Sequence, residues 1–149
     1  MDFHLDTLLN LPNVVADSYA NTLDAIVVKL QLVKAGINCP NCSKYISQVH
    51  QTRSVLVRDL SIFGQVVYLK VPRRQFYCST CKKSPTEPLL WVNRKQRQTN
   101  RYQEYIYERV KELTVKQVSG NEKMSEDAVQ DIFHKVASSK KKAGGILND

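Results

Sequence analysis

Two short stretches, CPNC at residues 39–42 and CSTC at residues 78–81, contain all four cysteines of this chain of 149 residues. Each pair leaves two residues between its thiols, so one tight turn can offer both sulfurs to a single ion. Zinc takes four thiolates at tetrahedral corners, and paired CxxC motifs are among the more specific short signals for it. The spacing therefore predicts a zinc site formed by Cys39, Cys42, Cys78 and Cys81.

Other uses of the same thiols stay open at this point. Iron in the same cage is the inorganic alternative, and free structural thiols, a redox CxxC pair or disulfides are the others. His50 lies eight residues after Cys42. Because four cysteines already complete the metal's coordination, we expect His50 at the surface or hydrogen-bonded behind the ligands.

Length and composition limit the class of protein. A chain of this length fits one ordinary domain or two small ones, and 42% hydrophobic residues allow a packed core. Apolar runs such as residues 25–28 are too short to span a bilayer. The N-terminus has acids where a secretory signal would carry Lys or Arg. We expect a soluble, cytoplasmic protein with no membrane partner, where reducing conditions disfavour disulfides.

The net charge of +8 is concentrated in the middle of the chain. Residues 39–100 carry eleven Lys and Arg against two acids, whereas residues 1–38 and 101–149 have net charges of −2 and +1. A localised excess of base favours a polyanionic partner, most often nucleic acid, and the alternative is a solvated, solubilising face. The candidate phosphate-binding cations are Arg53, Arg58, Arg73, Arg74, Lys82, Lys83, Arg94, Lys95 and Arg97.

The first 98 residues have strand-like patterns around the cysteine pairs. A short helix is predicted at residues 3–11, where Pro12 ends it. Strands are predicted at residues 25–35, 54–60, 65–71 and 73–77. The second and third strands are joined by a four-residue hairpin connection that ends with Gly64. Pro72 is expected to separate the third strand from the last one. The pattern predicts a small zinc-ribbon-like antiparallel β module within residues 1–98.

The remainder of the chain has helical periodicity. Residues 101–114 place apolar side chains at spacings of three and four. A second apolar stripe consists of Val129, Ile132, Phe133 and Val136. Gly120-Asn121 is expected to interrupt the second short helix before the last helix begins. Ser125 is a suitable N-cap for that last helix. Residues 140–149 are predicted to form a basic flexible tail.

Three short helices with a tight turn before the last predict a helix-turn-helix over residues 99–139. The alternative is an ordinary three-helix packing unit. If the apolar stripe faces inward, the residues left to face a DNA groove are Ser125, Gln130 and His134. Glu126 and Asp127 would repel phosphates at the start of that helix, so we expect modest affinity from this unit alone.

The motifs together resemble a known family. CPNC, His50, VRDL (57–60), VYLKVPRRQFYC (67–78) and CSTC look like the N-terminal zinc-binding region of the ISL-three type of insertion-sequence transposases. NRYQEYIYERV (100–110) and KMSEDAVQDIFHKVA (123–137) resemble that family's helix-turn-helix. The resemblance implies an α+β chain that recognises double-stranded DNA of transposon ends, with zinc as its cofactor. A full-length transposase or a second copy of the chain is a further candidate partner.

In the resembled family, a later ribonuclease-H-like domain supplies three metal-binding carboxylates that cut and join DNA. The sequence near residue 149 contains no strand–acid–strand series that could form a two-metal carboxylate site. We therefore expect the DNA-binding portion of a transposase that acts in DNA recombination but is not itself an enzyme. The alternatives are a zinc-stapled module that binds protein or RNA without sequence-specific DNA binding and, more remotely, a redox protein.

Overall fold

The computed structural model describes residues 5–147, with side-chain surroundings for residues 5–143. The chain divides between Arg97 and Gln98 into two compact units, one residue before the predicted boundary at residue 98. The first unit is mainly β and the second is helical, which confirms the predicted α+β class. None of the helices within the described residues is long and apolar enough to cross a membrane.

The first unit contains one short helix and six strands. They are α1 (Leu5–Leu9), β1 (Val14–Asn21), β2 (Ala25–Leu32), β3 (Ile37–Asn38), β4 (Tyr45–Ile46), β5 (Val49–Ile62) and β6 (Gln65–Phe76). The predicted helix at residues 3–11 corresponds to α1, and residues 3 and 4 lie outside the described residues. The sequence pattern does not predict β1, because its second half is exposed and has no apolar alternation.

Four of these strands form one sheet in the order β1-β2-β6-β5. β6 is antiparallel to β5 but parallel to β2, so the sheet is mixed and not purely antiparallel as predicted. Because β2 and β6 run in the same direction, the chain leaves both strands at the same end of the sheet. CPNC follows β2 and CSTC follows β6, so the parallel pairing brings the two cysteine pairs together.

The β5–β6 hairpin differs from its prediction in two ways. Its connection is a two-residue turn, Phe63-Gly64, with φ of 50° and 77°, which is the conformation of a hairpin turn that matches the strand twist. β6 also continues through Pro72, opposite Ser54. β2 pairs with β6 only as far as Lys70, so Pro72 lies where β6 has one open side and a missing N–H is tolerated.

A continuous apolar cluster on one side of the sheet forms the core of the first unit. Cross-strand partners such as Val57 and Leu69 share this side, and both are at most 1% exposed. The rest of the buried cluster consists of Leu9, Val14, Val28, Leu30, Val67, Val71, Trp91 and Val92. The segment after the second cysteine pair therefore returns across the sheet and supplies Trp91 and Val92 to its core.

The second unit consists of three helices, α2 (Asn100–Glu112), α3 (Val115–Glu122) and α4 (Glu126–Leu147). Thr99 caps α2, and Thr114 forms a capping box with Gln117 at the start of α3. The buried residues of this unit include Tyr102, Ile106, Val118, Val129, Ile132 and Val136. The two apolar stripes of the sequence thus meet in one core, although Tyr105 remains 38% exposed.

Two helix boundaries differ from the sequence prediction. α3 continues through Gly120-Asn121 and ends at Glu122, and its C-cap Lys123 is left-handed, with φ of 56° and ψ of 47°. α4 continues to Leu147, so most of the segment predicted as a flexible tail is helical, and residues 148 and 149 lie outside the described residues. Alanine and lysine are good helix formers, and Lys140 pairs with Glu104 of α2 at 2.7 Å, so the last helix continues through residues 140–143.

Candidate metal centre and nucleic-acid interface

The two cysteine pairs adopt the same backbone conformation. Cys39 and Cys78 each donate their backbone N–H to the carbonyl five residues later, at 2.8 and 2.9 Å. Each of their carbonyls accepts the N–H of the residue that follows its pair, Ser43 at 2.8 Å and Lys82 at 2.7 Å. These two residues have φ of 64° and 55°. The repeated turn points both thiols of each pair in one direction.

The four sulfurs form a compact group whose Sγ atoms all lie within 4.8 Å of one another. The distances are 3.8 Å from Cys39 to Cys81 and 3.7 Å from Cys42 to Cys78. A tetrahedral zinc with Zn–S bonds of about 2.3 Å would hold its sulfurs about 3.8 Å apart. A disulfide requires about 2.05 Å. The spacing is therefore that of a metal cage.

The pKa shifts of two of the thiols also favour a bound cation. The backbone N–H groups of Cys42 and Asn41 lower the pKa of the Cys39 thiol to about 7. Hydrogen bonding to Cys42, together with burial, raises the pKa of the Cys81 thiol to about 12. Four thiols this close together cannot all ionise by themselves, and a divalent metal supplies the charge that lets them do so.

The cage is packed into a small apolar cluster of its own. Cys39 and Cys78 are 1% and 0% exposed, and Phe76, the last residue of β6, is also fully buried. Ile37 and Ile46 complete the cluster. Because this cluster is too small to hold the two turns together by burial alone, the metal is expected to contribute much of the folding energy here.

The second unit exposes one side of α4 beyond a tight turn. Lys123, Met124 and Ser125 connect α3 to α4, and the Ser125 hydroxyl accepts the N–H of Ala128 at 3.1 Å. Val129, Ile132 and Val136 are buried, and Phe133 is half-buried against Tyr107. The side chains on the opposite side of the helix, which face solvent, include Gln130 and His134.

Comparisons with known proteins match both units. Residues 35–81 match the zinc finger of transposases IS204, IS1001, IS1096 and IS1165. Residues 87–137 match the helix-turn-helix domain of transposase family ISL3. The chain belongs to the ISL3 family of transposases. It carries the zinc-ribbon and helix-turn-helix region of that family, and zinc is the cofactor of this region.

A curated relative, described as the transposase for insertion sequence element IS1001 of Bordetella parapertussis, is 44% identical over 63 residues. The aligned part covers 42% of this chain but only 16% of the relative. The chain thus spans a small fraction of that protein's length. No solved structure matches the chain.

Apart from Arg74, the predicted DNA-contacting cations of this ISL3 chain fall into three groups. Arg58 is only 4% exposed, and its guanidinium lies 5.9 Å from the Tyr68 ring. Lys82, Lys83 and Arg94 are exposed, the first two beside the second cysteine pair. A third group lines one groove of the β unit and comprises Arg53, Arg73, Lys95 and Arg97.

Arg74 is occupied by contacts within the protein. Its Nε and Nη2 atoms donate to the two carboxylate oxygens of Glu87, both at 2.8 Å, and Nη2 also donates to the Lys34 carbonyl at 2.8 Å. The guanidinium lies 5.0 Å from the Phe76 ring. Lys34 precedes the first cysteine pair and Glu87 follows the second, so Arg74 ties together the chain on both sides of the metal centre.

Glu87 is a residue that sequence reasoning did not single out. It is 4% exposed and, with Asp59, is one of only two acids among residues 39–100. An isolated acid in a strongly basic segment signals a specific ion pair, because such a carboxylate is seldom buried unless paired. His50, by contrast, is exposed on β5 and is not among the clustered sulfurs, as expected.

Proposed function

We propose that this chain is the part of an ISL3 transposase that recognises the DNA at transposon ends. In this proposal, Cys39, Cys42, Cys78 and Cys81 hold one zinc ion that fixes the β unit. α4 enters a major groove, and phosphates are contacted by cations of the β unit, namely Arg53, Arg73, Lys82, Lys83, Arg94, Lys95 and Arg97. The partner is double-stranded DNA, which places the protein's action in the cytoplasm, where the chromosome of a bacterial host lies and thiols stay reduced.

The observation that best supports this role is the outward side of α4. The helix begins after a three-residue turn, buries its apolar stripe and leaves Gln130 and His134 free to approach base edges. That is the arrangement by which the second helix of a helix-turn-helix reads a major groove. Ser125 keeps a capping role through Ala128, and its hydroxyl can also approach a phosphate from that place.

Gln130→Ala is expected to change sequence preference more than overall affinity. Glutamine can pair bidentately with adenine, a contact worth about 1–3 kcal/mol of discrimination. The measurement is binding-site selection from a random duplex library with the zinc-loaded chain, repeated with the variant. One base-pair preference should be relaxed while the others persist.

The matched control is Gln65→Ala, the same change at an exposed residue of β6, which should leave the selected sequence unchanged. If Gln130→Ala selects the same sequence as the wild type, α4 does not read bases through this residue. If the wild type selects no sequence at all, the proposed recognition of specific ends is wrong.

The chain alone is expected to bind the selected duplex without cutting or joining it. Phosphoryl transfer by this family's chemistry would need clustered carboxylates to hold two metal ions. Among the described residues, one cluster of His, Cys, Asp or Glu side chains is compact enough to hold a metal ion. That cluster consists of the four cysteines and includes no carboxylate. The test is a cleavage assay with magnesium or manganese beside a binding assay on the same duplex. Metal-dependent nicking would contradict the proposal.

An excess of the chain is also expected to inhibit a complete transposase of the same element, because both would occupy the same ends.

The competing function is a zinc-stabilised module that binds RNA or protein, and the same cations favour it. Competition separates the two: a DNA-binding chain keeps its selected duplex in the presence of excess RNA, whereas an RNA-binding module releases it.

A further inference from the structure

The β unit contains a groove that concentrates positive charge. Its walls are residues 53–57 of β5, Arg73 of β6, and residues 92, 93 and 95–97 of the segment that follows the metal centre, and they enclose about 510 Å³. The segment is attached to β5 by a hydrogen bond from the Arg58 N–H to the Arg97 carbonyl at 2.8 Å. The groove is therefore bounded by segments that hydrogen bonds hold together within the β unit.

The charges in this groove are not balanced within it. Four of its lining residues are cations, and none of the lining residues, all of which lie in the described part of the chain, is acidic or aromatic. Arg53 and Arg73 are direct cross-strand partners, so their side chains lie on the same side of the sheet. Like charges directly opposite each other on neighbouring strands destabilise a sheet unless an anion lies between them.

Arg73 is the partly buried cation of this groove. Its Nη1 atom is buried and has no hydrogen-bond partner among the described residues. Burial lowers the pKa of Arg73, the charge of Glu87 acts in the opposite direction, and the charge of Arg53 adds a smaller lowering effect. The carboxylate of Glu87 is held by Arg74. The fold thus keeps a partly desolvated guanidinium beside another cation.

Lys95 and Arg97 add two exposed cations to the groove from the segment that follows the metal centre. The backbone of Lys95 is left-handed, with φ of 64°.

We propose that this groove binds the phosphate backbone of duplex DNA, with Arg53 and Arg73 holding one phosphate between them and Lys95 and Arg97 contacting the next. The inference rests on the proposed function, since it names the part of the β unit that the DNA occupies. Arginine suits phosphate because each planar guanidinium can donate two parallel N–H bonds to it. Because stacking residues do not line the groove, it suits a backbone and not unstacked bases of a single strand.

The experiment uses the full zinc-loaded chain, a duplex obtained by binding-site selection and a scrambled duplex of equal length. The test variants are Arg53→Gln with Lys95→Gln, both exposed, and separately Arg73→Gln. The matched control is Lys70→Gln, an exposed lysine of β6 whose side chain lies on the opposite side of the sheet from Arg73. Affinity is measured over a range of salt concentrations.

The double variant should lose affinity for both duplexes alike, and the slope of log K against log salt concentration should become shallower by about 2. Arg73→Gln should flatten the slope by about 1 while its Tm stays at or above that of the wild type, because the unpaired cation is removed. Lys70→Gln should change neither. A thermal scan of each variant excludes loss of fold as the cause.

Each result has a defined meaning. Unchanged slopes in all three variants, with intact wild-type binding, would overturn the groove assignment and leave the proposed function standing. Equal wild-type affinity for the two duplexes, with flattened slopes in the variants, would support the groove and refute the recognition of specific ends. Absence of duplex binding by the wild type would overturn both, and binding of only the single strand would overturn the backbone assignment.

Discussion

Replacing Cys78 by serine removes the zinc ion and unfolds the β unit, which is the largest effect we expect from any single substitution. Three thiolates leave the tetrahedral coordination incomplete. Binding of a structural zinc contributes on the order of 10 kcal/mol to folding, more than the small cluster around Phe76 can supply. Metal analysis should give close to one zinc per wild-type chain and close to none for Cys78→Ser.

The unfolding of Cys78→Ser should be confined to the first unit. The buried residues of the second unit, such as Tyr102, Ile106 and Val129, lie on its own helices, so its thermal transition is expected to persist in circular dichroism. The control is His50→Ala, which changes an exposed potential ligand and should keep zinc and both transitions. A wild-type chain that remains fully folded after complete removal of its metal would contradict this prediction.

Arg74→Gln is expected to lower the free energy of unfolding of the β unit by about 3 kcal/mol, because it leaves the buried carboxylate of Glu87 without its partner. The side chains of Arg74 and Glu87 are only 16% and 4% exposed, so water cannot replace the lost hydrogen bonds. The variant should also release zinc to a chelator faster than the wild type, since Arg74 joins the chain on both sides of the metal centre.

Two comparisons test the physical reason for this effect. Arg73→Gln, the same change one residue earlier, should not reduce the free energy of unfolding. Arg73 has a buried nitrogen without a hydrogen-bond partner, whereas Arg74 donates to both carboxylate oxygens of Glu87. Changing Arg74 and Glu87 together to methionine should recover much of the loss, since a buried ion pair is often replaceable by apolar residues of similar size. Chemical denaturation of the four proteins measures both. Equal destabilisation by the two arginine substitutions would contradict the assignment of Arg74.

Local sequence patterns predict the elements better than their boundaries. The prediction of strands at residues 54–60 and 65–71 corresponds to the longer β5 and β6, and Val129, Ile132 and Val136 are buried as their spacing indicates. Pro72 was wrongly expected to end a strand, because its tolerance depends on whether β2 still pairs with β6 at that level. That pairing is not visible in the residues around Pro72.

The metal ligands were predictable from local sequence, because a CxxC turn is local: the two residues between the thiols bring both sulfurs to one side whatever the surrounding fold. The sequence by itself also determined the helical stripes and the placement of basic charge in the middle of the chain. The tertiary structure decided how the two cysteine pairs meet. The parallel pairing of β2 with β6 involves residues 25–29 and 66–70, which are far apart in sequence.

The tertiary structure also decided which cations are available for a ligand. Arg53, Arg58, Arg73 and Arg74 are the same residue type in one basic segment, and sequence reasoning treats them alike. Arg73 and Arg74 point to opposite sides of the sheet because neighbouring strand residues alternate. Arg74 meets the carboxylate of Glu87, whereas Arg73 faces Arg53. Their different roles follow from partners that are distant in sequence, and only the folded chain brings those partners into contact.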